Sequence, residues 1–138
     1  MPNILIIDDD VTVQDVLFEM VTIEGYHAIV AQNGLIALKL LESNEVDVII
    51  TDIVMPEKEG LETILYIRKH YPDIPIIAIS GGARIKPESY LDLAKQFGAR
   101  FTLAKPFLHK ELMKAVRMCL GGENNDTAAL YGDTGNGG

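Results

Sequence analysis

Ile4-Leu5-Ile6-Ile7-Asp8-Asp9-Asp10 opens the chain with four large aliphatic residues and then stops at three carboxylates. Four apolar side chains in a row, with no polar alternation, read as a strand covered on both faces, the pattern of a parallel sheet between helices. Outward from it, mostly continuous apolar runs return at 28–31, 46–50, 74–79 and 101–104, the last being the weakest. Helical spacing fills the intervals: 13–24, 34–43, 60–70, about 87–97, and 108–120, where Leu108, Leu112, Val116 and Cys119 mark one apolar stripe.

Buried strands alternating with amphipathic helices predict an α/β chain, and right-handed crossovers then favour a (βα)5 doubly wound parallel sheet in three layers. The commonest five-strand order of that kind is the flavodoxin-like 2-1-3-4-5. The expected domain is 1–120. From Gly121 six of 18 residues are glycine and only Leu130 and Tyr131 are large and apolar, so 121–138 is expected to be a disordered tail.

The 138 residues are 48% hydrophobic, enough for one core, and carry 20 acidic against 12 basic side chains for a net charge of -8. Three of those acids fall in the tail, which has no Lys or Arg, so the acidity belongs to the domain. An acidic surface has no general attraction to nucleic-acid backbones or anionic lipid, and neither partner is expected. Cys119 is the single cysteine, so no internal disulfide forms, in keeping with a reducing compartment. The first apolar run is too short for a signal-peptide core or a membrane span.

Open parallel sheets bind ligands beyond the carboxyl ends of their strands, beside the point where the strand order reverses. The polar residues that end the apolar runs are Asp8 and Asp9 after the first, Asp52 after the third, Ser80 after the fourth and Lys105 after the fifth. The order 2-1-3-4-5 converges all five on one pocket. Crowded carboxylates raise one another's pKa unless a cation sits among them, and Mg²⁺, a hard ion satisfied by one or two carboxylates plus water and phosphate oxygens, suits Asp9 and Asp52 with Asp8 through water. A carboxylate can attack phosphorus to give an aspartyl phosphate, with Mg²⁺ and Lys105 supplying positive charge and Ser80 a hydroxyl donor. Taken singly, each of these residues has a plainer reading: Asp9 or Asp10 as a helix N-cap, Ser80-Gly81-Gly82 as a turn, Lys105 as a solvated side chain.

Together, Ile4 to Asp10, Thr51-Asp52-Ile53-Val54-Met55-Pro56 with Gly60, Ser80-Gly81 and Lys105-Pro106-Phe107 resemble the response-regulator receiver family over about 120 residues. The resemblance implies a stand-alone, chemotaxis-regulator-like receiver in a two-component system. Asp52 would be the phosphoacceptor, and Asp8, Asp9, Asp52 and the Val54 carbonyl would surround Mg²⁺, or Mn²⁺ in its place. Ser80 and Lys105 would bind the phosphoryl group. It further implies a histidine kinase or histidine phosphotransfer protein as donor, a cytoplasmic setting, an output protein at the fourth and fifth βα segments, and a cis peptide at Lys105-Pro106. The chain departs from the family at Thr102, where receivers carry Tyr or Phe three residues before the lysine. Val54 and Gly82, two residues past Asp52 and Ser80, offer no polar side chain to orient a hydrolytic water.

A rival reading is a haloacid-dehalogenase-like phosphohydrolase using Asp8 and Asp10, since Asp8-Asp9-Asp10-Val11-Thr12 also satisfies that family's Asp-x-Asp-x-Thr pattern. It leaves Asp52 unexplained, and after Lys105 the domain offers its metal only Glu111. A flavin-binding module is disfavoured because aspartates, not an anion-binding Gly/Ser/Thr loop, follow the first strand. Elsewhere the residues read as structural: His27 and His109 as isolated, His70 as a helix-end residue, and Cys119 as a buried helix position.

Overall fold

The computed structural model describes residues 1–53, 59–80, 92 and 94–121. Strands form at β1 (Asn3–Ile7), β2 (His27–Ala31), β3 (Val48–Asp52), β4 (Ile76–Ser80) and β5 (Phe101–Ala104). Helices form at α1 (Val11–Ile23), α2 (Gly34–Ser43) and α3 (Glu59–His70). The fourth is described as α4 over residues 94–97, and α5 spans His109–Cys119. The rest of the helix expected at 87–97, and the tail beyond Gly121, lie outside the described residues.

The sheet is parallel throughout in the order β2-β1-β3-β4-β5, as the pattern of runs predicts. Two-residue alternation sorts its side chains onto two faces. Leu5, Ile7, Ile49, Ile76 and Ala78 pack with Ala37 and Leu41 of α2, Ile64 and Ile67 of α3, and Ala94 of α4. On the opposite face Ile4, Ile6, Val48, Ile50, Ile77 and Ile79 pack with Leu17 and Val21 of α1 and Leu112, Met113 and Val116 of α5. Each fully buried Ile or Leu contributes about 1.5–3 kcal/mol relative to exposure, so the two clusters account for most of the driving force. The central strands β3 and β4 are buried along their whole length, whereas the edge strands β2 and β5 are largely half-exposed.

β3 and β4 begin two residues later than the apolar runs and end on Asp52 and Ser80. Val46 packs into the core before the ladder starts, and the paired register is Asp52 with Ile79 and Ser80 with Ala104. Ladder hydrogen bonds join main-chain groups and are indifferent to side-chain polarity, so a strand continues through polar residues when its neighbours do.

Side chains close the helix starts. Asp10 Oδ1 accepts from the N–H groups of Thr12 (2.9 Å) and Val13 (3.4 Å) at the start of α1, and Asn33 Oδ1 accepts from Ile36 N–H (2.9 Å) at α2. At α5 Leu108 occupies the N-cap position, 57% exposed, and its N–H donates to Glu111 Oε1 at 2.7 Å. Leu108 is thus not part of the buried stripe, which Leu112 and Val116 carry. Cys119 is half-buried rather than buried, with its thiol pushed up to about 11, chiefly by desolvation. His109 is not isolated: its Nε2 lies 3.0 Å from Glu24 Oε2, joining α5 to the end of α1.

Candidate functional site

Register decides what meets at the carboxyl end of the sheet. Ile7 pairs with Thr51 and Asp52 with Ile79, so Asp8, one residue past β1, falls beside Asp52 at the end of β3. The main chain extends each ladder by one step: Asp8 N–H donates to Ala31 O (3.1 Å), Ile53 N–H to Ile79 O (3.0 Å) and Lys105 N–H to Ser80 O (2.8 Å). Asp8, Asp52, Ser80 and Lys105 are thereby held by the sheet itself and not by free loops.

Asp8 is 1% exposed, Ser80 1% and Asp52 7%. Lys105 reaches in from β5's end, and its Nζ sits 3.2 Å from Asp52 Oδ2. Its peptide bond to Pro106 is cis, as the family resemblance implies. Asp8 Oδ1 accepts from Asp10 N–H at 2.8 Å, whereas Asp8 Oδ2 and Ser80 Oγ are buried with no protein partner. Two buried oxygens left unpaired cost free energy that the fold must recover elsewhere, and they mark where a ligand would satisfy them.

Burial pushes the Asp8 carboxyl up from 3.8 to about 7, with the negative charge of Asp52 acting in the same direction. The Asp10 N–H and the Lys105 ammonium oppose the shift. A divalent cation would reverse this by stabilising the charged form.

Asp9 and Asp10 differ from Asp8: both are exposed. Asp10 is committed to capping α1, which removes it from the role the phosphohydrolase reading requires. Among the described residues no group of three or more His, Cys, Asp or Glu side chains gathers as a metal cage. Asp8 and Asp52 are brought together, Asp9 borders them in the chain, and Val54 lies outside the described residues, as do Gly81 and Gly82. Two carboxylates with hard oxygen donors fit Mg²⁺, which takes one or two protein carboxylates and fills its octahedron with water and phosphate oxygens.

One supporting residue, Gln14, escaped the sequence reading. Gln14 is 7% exposed on the inner face of α1 and donates through Nε2 to Asp8 O at 2.5 Å and, more weakly, to Ala31 O at 3.5 Å. A polar residue in register with Leu17 and Val21 was its available signal. Gly60 permits α3 to press against the chain after Asp52, since a Cβ there would lie 2.6 Å from Ile53 Cα. Thr102, at the position where receivers have an aromatic ring, is half-buried in β5, while Phe101 packs toward α5.

The sequence profile described as response regulator receiver domain matches residues 4–117. The chain belongs to that family. This receiver is 33% identical over 120 residues to the transcriptional regulatory protein CpxR of Escherichia coli K12, covering 87% of the chain and 50% of CpxR. It spans about half the length of the curated relatives it matches. Among solved structures it is similar to the response regulator TrrA of Thermotoga maritima in complex with Mg²⁺-BeF, at 34% identity, TM-score 0.74, and coverage of 86% and 99% of the two chains. It is also similar to the Vibrio cholerae chemotaxis protein CheY4, at 28% identity, TM-score 0.76, and coverage of 86% and 98%. Receivers are signalling phosphoacceptors rather than classical enzymes, and membership implies a histidine kinase as partner. No described helix is long and apolar enough to cross a membrane.

Proposed function

We propose that Asp52 of this receiver accepts a phosphoryl group from a histidine kinase or histidine phosphotransfer protein, with Mg²⁺ held by Asp8, Asp9, Asp52 and the Val54 carbonyl. The observation that carries the reading is the cluster of Asp52, its 3.2 Å partner Lys105 and the two unpartnered buried oxygens of Asp8 and Ser80. In transfer, an Asp52 oxygen forms the bond to phosphorus. The bond from phosphorus to the donor imidazole nitrogen breaks, and its electron pair stays on nitrogen. Bound by those residues, Mg²⁺ would supply positive charge to the transferring group, and the similar receiver TrrA is seen in complex with Mg²⁺-BeF. Lys105 exchanges its contact with Asp52 for one with a phosphoryl oxygen, and the Ser80 hydroxyl donates to another.

New oxygens at the pocket draw on Ser80 and Lys105, which end β4 and begin the segment after β5. Transfer thus shifts the population of arrangements of the fourth and fifth βα segments, where an output protein binds. Residues 1–120 act as the receiver, 121–138 as a passive tail, and the setting is cytoplasmic.

Intact-protein mass after incubation with a small acyl phosphate and Mg²⁺ tests the chemistry. One added phosphoryl group, lost in Asp52→Asn and on chelation, is expected. A gain that survives Asp52→Asn would move the acceptor to Asp8.

A further inference from the structure

The carbonyl of Asp8 is a buried acceptor at a place where the sheet supplies no donor. Asp8 N–H continues the β1–β2 ladder by bonding Ala31 O, but β2 ends at Ala31, and the next main-chain group of β1 is left over. A buried carbonyl without a partner is costly, and here a side chain takes the place of the missing strand. Gln14 Nε2 reaches back across the first turn of α1 to Asp8 O at 2.5 Å and touches Ala31 O at 3.5 Å. Gln14 is otherwise in register with the apolar stripe of Leu17 and Val21 that packs α1 on the sheet. An aliphatic residue would serve packing there equally well, so the amide answers to a different requirement.

That requirement is orientation. The Asp8 carbonyl and the Asp9 N–H belong to one rigid peptide plane, so a hydrogen bond to the carbonyl sets the direction in which the chain leaves Asp8 toward Asp9. Asp8 is then fixed by three bonds: its N–H to Ala31 O, its carbonyl by Gln14, and Oδ1 by Asp10 N–H. Oδ2 alone remains unpartnered. The helix carrying Gln14 is itself anchored on this loop, through the Asp10 cap and the Gln14 N–H to Asp10 O bond of 2.9 Å.

We propose that Gln14 is a positioning residue for the metal site, holding the Asp8–Asp9 peptide so that the two adjacent acids present two of the four proposed protein ligands of Mg²⁺ in a fixed orientation. The inference rests on the reading of Asp8 and Asp9 as Mg²⁺ ligands. Partners that orient ligands in this way typically change metal affinity by about 10–100-fold when removed. Gln14→Leu, close in volume but without the donor, therefore weakens Mg²⁺ binding by about tenfold or more.

Calorimetric titration of the full chain with MgCl₂ tests this in three proteins: unaltered, Gln14→Leu, and Leu17→Ala, which loosens the same helix face without touching Asp8. Loss of affinity in Gln14→Leu with retention in Leu17→Ala is the expected result. Unchanged affinity in Gln14→Leu overturns the proposal, as does an equal loss in both variants, which would make Gln14 a packing residue. Absence of Mg²⁺ binding by the unaltered protein removes the metal reading and this inference with it, an outcome distinct from either. Should Gln14→Leu fail to fold, the side-chain amide resonances of Gln14 in the unaltered protein decide. They shift along the Mg²⁺ saturation curve if the residue is coupled to the site, and resonances that stay fixed at saturation overturn the proposal.

Discussion

Lys105 Nζ and Asp52 Oδ2 meet at 3.2 Å although 53 residues of chain separate them. The contact exists because β3 and β5 both flank β4 and end at the same edge of the sheet. It places the one ammonium among the pocket's described residues on the carboxylate proposed to accept the phosphoryl group.

Lys105→Met removes that charge. Phosphorylation by a small acyl phosphate falls by about 100-fold, the scale of losing one donor that stabilises developing negative charge. Stability falls by about 1–3 kcal/mol, because the substitution leaves the Asp52 carboxylate, 7% exposed, without its ammonium partner. Mass-resolved phosphorylation rates and urea denaturation check the two halves separately.

Asp8 makes metal-free stability depend on pH. Its folded-state carboxyl titrates at about 7, above the ordinary 3.8, so the stability it contributes is fully present below about pH 4 and is lost as pH rises through 7. Asp8→Asn keeps the acceptor for Asp10 N–H and removes the buried charge. In chelator, it stabilises the protein by about 2 kcal/mol at pH 8 and has little effect at pH 4. Denaturation at the two pH values reads the difference, and an equal effect at both would rule out Asp8 titration as the cause.

Gly60→Ala places a methyl carbon 2.6 Å from Ile53 Cα and 2.8 Å from Ile53 O. Helix propensity favours Ala over Gly by about 1 kcal/mol, but backbone cannot yield as a flexible side chain does. The net effect is destabilisation of about 1–3 kcal/mol, typical of overpacking, seen as a lower denaturation midpoint.

Val54 and Gly82 carry no group able to orient water, and both lie outside the described residues. Val54→Glu or Gly82→Asn therefore shortens the lifetime of the phosphorylated protein severalfold, followed by intact mass after the donor is removed. Unchanged decay in both variants would show that water is positioned by other means.

Much of this was legible in the chain. Mostly continuous apolar runs are a local property, and they marked all five strands and the parallel, doubly covered sheet. The acids, serine and lysine that end those runs named the pocket once the strand order was supplied. The strand limits of β3 and β4 were not legible, because pairing carried Thr51, Asp52 and Ser80 into the ladder despite their polarity. Leu108 was misplaced because helical spacing does not reveal where the chain enters a helix.

By itself the sequence determined the α/β alternation, the acidic character and the identity of the chemical groups at the strand ends, since each depends on residue type and near-neighbour spacing. Tertiary structure alone decided how those groups are used. Asp8, Asp9 and Asp10 are consecutive carboxylates, yet one is buried with a raised pKa, one is exposed, and one caps a helix. That division follows from register and solvent access, which are set by residues distant in the chain: Thr51 opposite Ile7, Ala31 beside Asp8, and Gln14 folded back beneath them.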